Sequence, residues 1–264
     1  MPKVAALYRY PVKGFGAEER RSLRLHENGR IAGDRVLGFR FASAAAADDA
    51  WGTKHEFVAL VNTPGLALLD LAYDPRALRL RIRSRGRVLA EAGLDGAGRE
   101  RLAAAVQAFV LQLQLNPLAA EPARLPIRLV GDGVTPRYQD KEAGHVTLHG
   151  RASVQAAAAA AGVSELSELR FRSNIALEGL QPWEEQGWIG RRLRIGAVEF
   201  RAVEPKTRCL ATHANPRSGQ RDVPVMASLL KAFPAEKPTL AIALLPLGGG
   251  TLAIGDEVEL IDSR

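Results

Sequence analysis

Hydrophobic and polar positions alternate with period two in one short run after another along the first ninety residues. Residues 4–10 form such a run, broken at Pro11, and 22–25 and 33–41 continue it with Asn28-Gly29 as the turn between them. Residues 57–61, 67–73, 78–84 and 87–90 follow, each bounded by turn-forming residues. Strands this short and closely spaced predict a barrel-like β domain. The period then changes: Leu102, Val106, Val110 and Leu113 recur at helical spacing, predicting an amphipathic helix over 98–115. Residues 42–50 are alanine-rich and predict a surface loop or short helical turn, and 116–126, with three prolines, reads as a linker.

Strand patterning resumes at 127–130 and 145–148, around a polar loop over 131–144. An alanine-rich helix opens at or just before Ser153, runs to Ala161 and is closed by Gly162. A helical turn over 164–169 leads into a strand within 170–177. Residues 194–203 alternate well and read as one strand ending at Pro205, which delivers Cys209 to a loop. A helix over 225–233 and strands over 239–247 and 251–261, turning at Gly248-Gly249-Gly250, complete a mainly β chain with a few helices and no internal repeat.

Composition narrows the chemistry. Cys209 is the only cysteine in 264 residues, which excludes an intrachain disulfide framework and an iron–sulfur cluster held by this chain alone. A lone cysteine is more often a small buried hydrophobe than a reactive group. Here Lys206 and Arg208 flank it, and nearby cations favour a thiolate, the form that attacks electrophiles or binds soft metals. His213 lies close enough in sequence to be taken for a general base, yet a thiolate committed to a metal needs none. The net charge of +7 raises a nucleic-acid reading, but the arginines are dispersed and aromatics make up only 6% of the chain, thin for a base-stacking surface. Lys13, between Pro11 and two glycines, could meet an anion, though the spacing is not that of a P-loop. No signal peptide or membrane-spanning run is visible, so a cytoplasmic protein of bacterial style is expected.

Six motifs, in one order, resemble those of MOSC-domain proteins with the N-terminal β-barrel extension, the group of the mitochondrial amidoxime-reducing component and its bacterial relatives. They are Tyr10-Pro11-Val12-Lys13-Gly14, Gly33-Asp34-Arg35, Ala152-Ser153-Val154, Arg170-Phe171-Arg172-Ser173-Asn174-Ile175, Thr207-Arg208-Cys209 with Pro216 and Gly219, and Gly255-Asp256. The resemblance implies two β-barrel-like modules with peripheral helices: an N-terminal domain over 1–117 and a MOSC domain over 118–264. It implies that Cys209 ligates molybdenum and that a molybdopterin lies between the halves. Lys13, Gly14, Arg35, Arg172, Asn174, Thr207 and Arg208 would then bind the cofactor, with an acid before the Ala-Ser helix start. Glu142 has the better spacing for that acid, and Asp140 is the alternative. Ser173 and His145 depart from the family pattern, each standing where it has proline.

By the same resemblance the chain is a molybdenum-dependent oxidoreductase that cleaves the N–O bond of N-hydroxylated compounds. A sulfur-transfer role, with Cys209 carrying a persulfide, is the alternative, since some MOSC domains end cofactor sulfurases. The resemblance carries a family-level link to pyridoxal phosphate binding, but the pyridoxal-phosphate domain of those sulfurases finds no counterpart in the sequence. Nor does a ferredoxin-like domain or a dinucleotide-binding fingerprint, because Gly248-Gly249-Gly250 precedes a strand. A separate flavin or iron–sulfur protein is therefore the expected electron donor, with neither nucleic acid nor a membrane span involved.

Overall fold

The computed structural model describes residues 1–261. Its main sheet has eight strands in the order Val258–Ile261, Arg192–Ile195, Val198–Thr207, Thr239–Pro246, Val146–Gly150, Ile175–Glu178, Lys3–Arg9 and Glu18–Arg20. All neighbours are antiparallel except Val146–Gly150 with Ile175–Glu178. Thr239–Pro246 sits near the middle and is buried on both faces over its first six residues, which accounts for its uninterrupted apolar run. The parallel pair needs a crossover, supplied by the helix Arg151–Ala161. Gly162, in the left-handed region at φ 71°, ends that helix as its sequence predicts.

A second apolar cluster is built mainly from the first half of the chain. The antiparallel strands Leu69–Asp74, Arg79–Ser84 and Arg87–Gly93 pack with the helix Gly96–Leu111, which contributes Leu102, Val106 and Val110. Phe15, Phe39 and Phe41 fill the same cluster, and Gly38–Arg40 pairs with Arg128–Val130. The mainly β class is thus as the alternation predicts. The sheets, however, are not closed barrels: the large one ends in Val258–Ile261 on one side and Glu18–Arg20 on the other.

Four local readings change. The run over 194–203 is not one strand but a hairpin, because Gly196 adopts φ +56° and turns the chain between Ile195 and Val198. The second arm also passes Pro205, which sits at an irregularity in the pairing where its missing N–H is tolerated, and continues to Thr207. The run over 251–261 splits into Gly250–Ala253 and Val258–Ile261, with Gly255 at φ +91° in the turn. Residues 57–61 form no strand: Asn62 accepts from Ala59 N at 3.0 Å and donates to Phe57 O at 2.9 Å, closing a turn instead. The prolines of 116–126 do not make it a plain linker, since Asn116 caps a one-turn helix, Pro117–Ala120.

Candidate functional site

The strand Val198–Thr207 runs out of the main sheet directly into Arg208 and Cys209, and a 3-10 turn, Leu210–His213, starts at the cysteine. Thr212 folds back, its hydroxyl donating to Cys209 O at 2.9 Å. Arg170, buried, holds this turn from behind through Asp222 at 2.7 Å and His213 O at 2.9 Å. The half-buried Cys209 therefore has a fixed backbone and faces a cavity of two connected parts.

The smaller chamber, of about 50 Å³, is lined by Lys13, Gly14, Arg35, Asp140, Arg172 and Cys209 among others. The larger, of about 480 Å³, shares Arg35, Asp140, Arg172 and Cys209 and adds Thr207, Arg208, His145 and Trp51. Residues distant in sequence thus converge on one thiol.

Charge at this site is lopsided. Arg35 and Arg172 both place their guanidinium carbons 4.6 Å from the centre of the Tyr10 ring. Both sit at positive φ, 51° and 53°, an uncommon conformation for a side-chain-bearing residue and a form of local strain. Arg35 is matched by Asp34 at 2.5 Å. Burial alone would lower its pKa, but that ion pair outweighs burial and raises it. Arg172 has no carboxylate partner among the described residues and bonds only the Phe15 carbonyl. Burial, reinforced by neighbouring Arg35, pulls its pKa down. Arg208 donates to Leu240 O at 2.6 Å and Phe171 O at 2.8 Å, but its second Nη is buried without a partner. Burial depresses its pKa to about 10. A guanidinium so perturbed is stabilised by an anion.

The acid that lies against these arginines is Asp140, whose side chain is 79% exposed, while Glu204 on the larger chamber is taken up by Lys141 and Lys206. Surrounding protein mass would raise its pKa, but Lys13, Arg35 and Arg172 together hold the carboxyl down at about 2. Glu142, which spacing favours, does not line the cavity; only its backbone carbonyl is engaged, by Arg30. Residue 140 is brought inward because the preceding carbonyls, Tyr138 O and Gln139 O, accept from the buried Lys13 ammonium at 2.9 and 3.2 Å.

The remaining residues singled out by sequence divide by what they touch. Lys13 lines the small chamber but spends its protons on those carbonyls and on Asp140 at 3.4 Å. Gly14 is required by packing: a Cβ there would lie 2.4 Å from Ala59 Cβ, at φ +78°. Asn174 does not line the cavity. Its amide donates to Tyr8 O at 3.1 Å and its oxygen accepts from Thr147 at 3.3 Å, so it ties strands together behind Arg35. Thr207 is exposed on the larger chamber. His213 accepts from Met226 N at 3.3 Å, capping the helix Val225–Ala232, and lines neither chamber.

A match to the MOSC domain family model covers residues 136–259. Residues 136–259 are a MOSC domain. Over 73 residues the chain is 36% identical to molybdenum cofactor sulfurases of Caenorhabditis briggsae and Caenorhabditis elegans, a stretch that is 28% of this chain and 10% of either sulfurase. The crystal structure of the YuaD protein from Bacillus subtilis aligns over 100% of this chain and 98% of its own, at 13% identity and a TM-score of 0.45. YiiM from Geobacillus stearothermophilus aligns over 44% and 54%, at 13% identity and a TM-score of 0.33. The MOSC domain supplies Asp140, Arg172, Arg208 and Cys209, whereas Lys13, Arg35, Trp51 and Lys54 come from outside the matched range. Two of these, Trp51 and Lys54, carry no sequence signal of their own; they follow an alanine-rich run that reads as a loop. No helix of the described residues is long and apolar enough to cross a membrane.

Proposed function

We propose that this MOSC-domain chain binds a molybdenum cofactor through Cys209 and reduces N-hydroxylated compounds. The observation that carries the reading is the excess of positive charge around a single thiol: the half-buried Arg172 and Arg208 form no ion pair among the described residues, and one buried donor of Arg208 is orphaned. An unpaired buried guanidinium costs free energy unless an anion completes it. A pterin phosphate fits that requirement, and a thiolate fits a soft metal. Among the described residues no cluster of three or more His, Cys, Asp or Glu side chains could hold a metal ion. A metal at this site would have to arrive on a cofactor, with Cys209 adding one ligand.

The chemistry the cofactor supplies when bound is two-electron exchange at molybdenum coupled to removal of a substrate oxygen. The chain's own residues do the rest. Cys209 would anchor the metal on a backbone held by Thr212 and Arg170. Arg172 and Arg208 would neutralise the phosphate, and Arg35, held by Asp34, stacks with Arg172 on the shared Tyr10 ring. The balance is R–NHOH + 2 H⁺ + 2 e⁻ → R–NH₂ + H₂O, and the electrons come from a separate flavin or iron–sulfur protein. The test is an assay of cofactor-loaded protein on benzamidoxime. Turnover is expected with a chemical reductant or an added reductase and absent with NADH or NADPH alone; no turnover with any reductant would refute the reductase reading.

A sulfur-transfer role stands as the second reading because the 36% identity is to sulfurases. Cys209 would then carry a persulfide, and labile sulfane sulfur on metal-free protein would favour it.

A further inference from the structure

The outer wall of the larger chamber is formed by residues 51–55, and it is anchored far more firmly than an alanine-rich loop needs to be. The completely buried Arg40 donates to the carbonyls of Ala46, Ala47 and, at 3.0 Å, Ala50. Its guanidinium also lies over the Phe57 ring at 4.7 Å. Tyr138 donates to Asp48 O at 2.5 Å, and Arg128 pairs with Asp48 at 2.9 Å. Gly52 is tied to the same device, since a Cβ there would fall 2.5 Å from an Arg40 Nη. These contacts hold the segment that contributes Trp51, Thr53, Lys54 and His55 to the lining, and two of these four carry the argument.

The first is Trp51, half-buried, whose Nε1 donates to Gln139 O at 2.9 Å. That bond orients the indole while the ring lines the larger chamber. The second is Lys54, which lines both chambers and has no acidic partner among the described residues. The other lysines of the chamber are matched: Lys141 and Lys206 both reach Glu204, at 2.6 and 3.4 Å. Lys54 is thus an ammonium without an acidic partner among the described residues, sharing the larger chamber with Trp51 and the smaller one with Arg35 and Arg172.

We propose that Trp51 and Lys54 form a subsite for the non-reacting part of the substrate, and that this part is planar and negatively charged. An indole offers stacking to a flat conjugated group, and an unpaired ammonium offers a charge-assisted bond to a carboxylate. The inference rests on the cavity being the reaction site but not on which metal or cofactor serves it. It gives the alanine-rich run a purpose: the run carries substrate selection, while Cys209 and the arginines carry the reaction centre.

The three tryptophans make this testable without an activity assay. Trp183, stacked on Phe233, and Trp188 are buried, at 7% and 4% exposure, so Trp51 is the one a ligand in the cavity can reach. Full-length protein, with and without cofactor, is titrated with benzoate while tryptophan fluorescence is followed. Saturable quenching is expected, with benzylammonium giving none and cyclohexanecarboxylate binding more weakly. Trp51→Phe should abolish the signal, and Lys54→Gln should weaken benzoate binding roughly tenfold, as for loss of one charged hydrogen bond. Molybdenum content should be unchanged in both variants. Benzoate binding that ignores Lys54→Gln, or quenching that survives Trp51→Phe, would overturn the subsite. So would loss of molybdenum from Lys54→Gln, which would assign that lysine to the cofactor. A failed benzamidoxime assay with intact benzoate quenching would instead locate the error in the reductase reading alone.

Discussion

Two buried charge clusters lie within the same fold and are built on opposite principles. Around Glu168, one carboxylate is satisfied from every side: Tyr8 donates at 2.7 Å, Arg151 grips it with two bonds of 2.9 Å, and His149 lies at 3.3 Å. Burial would raise the Glu168 pKa, but these donors hold it far below the usual carboxylate range. Around Cys209 the balance fails, because Arg172 and Arg208 form no ion pair among the described residues and share the exposed carboxylate of Asp140 with Lys13 and Arg35. A closed cluster of charges is a structural clamp. An open one with more cations than carboxylates is unfinished until a counter-ion arrives, and that is the physical ground for proposing an anionic cofactor there.

The largest effect expected from this contrast is on stability. Glu168→Ala leaves Arg151, His149 and Tyr8 unpaired and should cost about 3 kcal/mol, as for other broken buried pairs. Arg172→Gln removes a charge with no ion pair of its own, whose nearest carboxylate, Asp140, is exposed, and should change the stability of cofactor-free protein by less than about 1 kcal/mol. Chemical unfolding of the two variants beside the parent chain checks the ranking. Equal losses would mean that the two clusters are not different in kind.

A smaller effect should appear with pH. His149 is fully buried, and burial lowers its pKa below the ordinary 6.5, only partly offset by Glu168. The unfolded chain therefore takes up a proton near pH 6.5 while the folded one resists. Stability contributed by neutral His149 is complete above that pH and is lost as pH falls below it. His145 and His213 are shifted in the same direction by burial and add to the slope. His149→Gln should reduce the fall in melting temperature between pH 7 and 5 without removing it. An unchanged slope would contradict the assignment.

The elements and the Cys209 side of this contrast are legible in the sequence, the Glu168 cluster is not, and the parts that escape share a cause. The alternation of 4–10 and the helical spacing of Leu102, Val106 and Val110 gave elements that the fold keeps, because burial of one face is a local property of the sequence. Alternation continues across Gly196 and Gly255 and so predicts unbroken strands, and only their positive φ reveals the turns. Within the site, motif order brought Lys13, Arg35, Arg172 and Cys209 to one cavity. Spacing preferred Glu142 over Asp140, however, because which of two nearby acids faces inward depends on the Lys13–Tyr138 contact, 125 residues apart. Trp51 and Lys54 were missed for the same reason. Nothing in an alanine-rich run announces that a buried arginine and a distant tyrosine hold it against the cavity.

The most direct test is the molybdenum content of the full-length protein purified from a host that makes molybdopterin, measured beside Cys209→Ala and Arg172→Gln. The parent chain should carry close to one molybdenum per molecule. Cys209→Ala should carry almost none while keeping its fold, and Arg172→Gln should retain the cofactor at least tenfold less tightly, as expected for one lost charged hydrogen bond of about 1.5–3 kcal/mol. Stoichiometric molybdenum in Cys209→Ala, or a parent chain that binds none from such a host, would contradict the account at its centre.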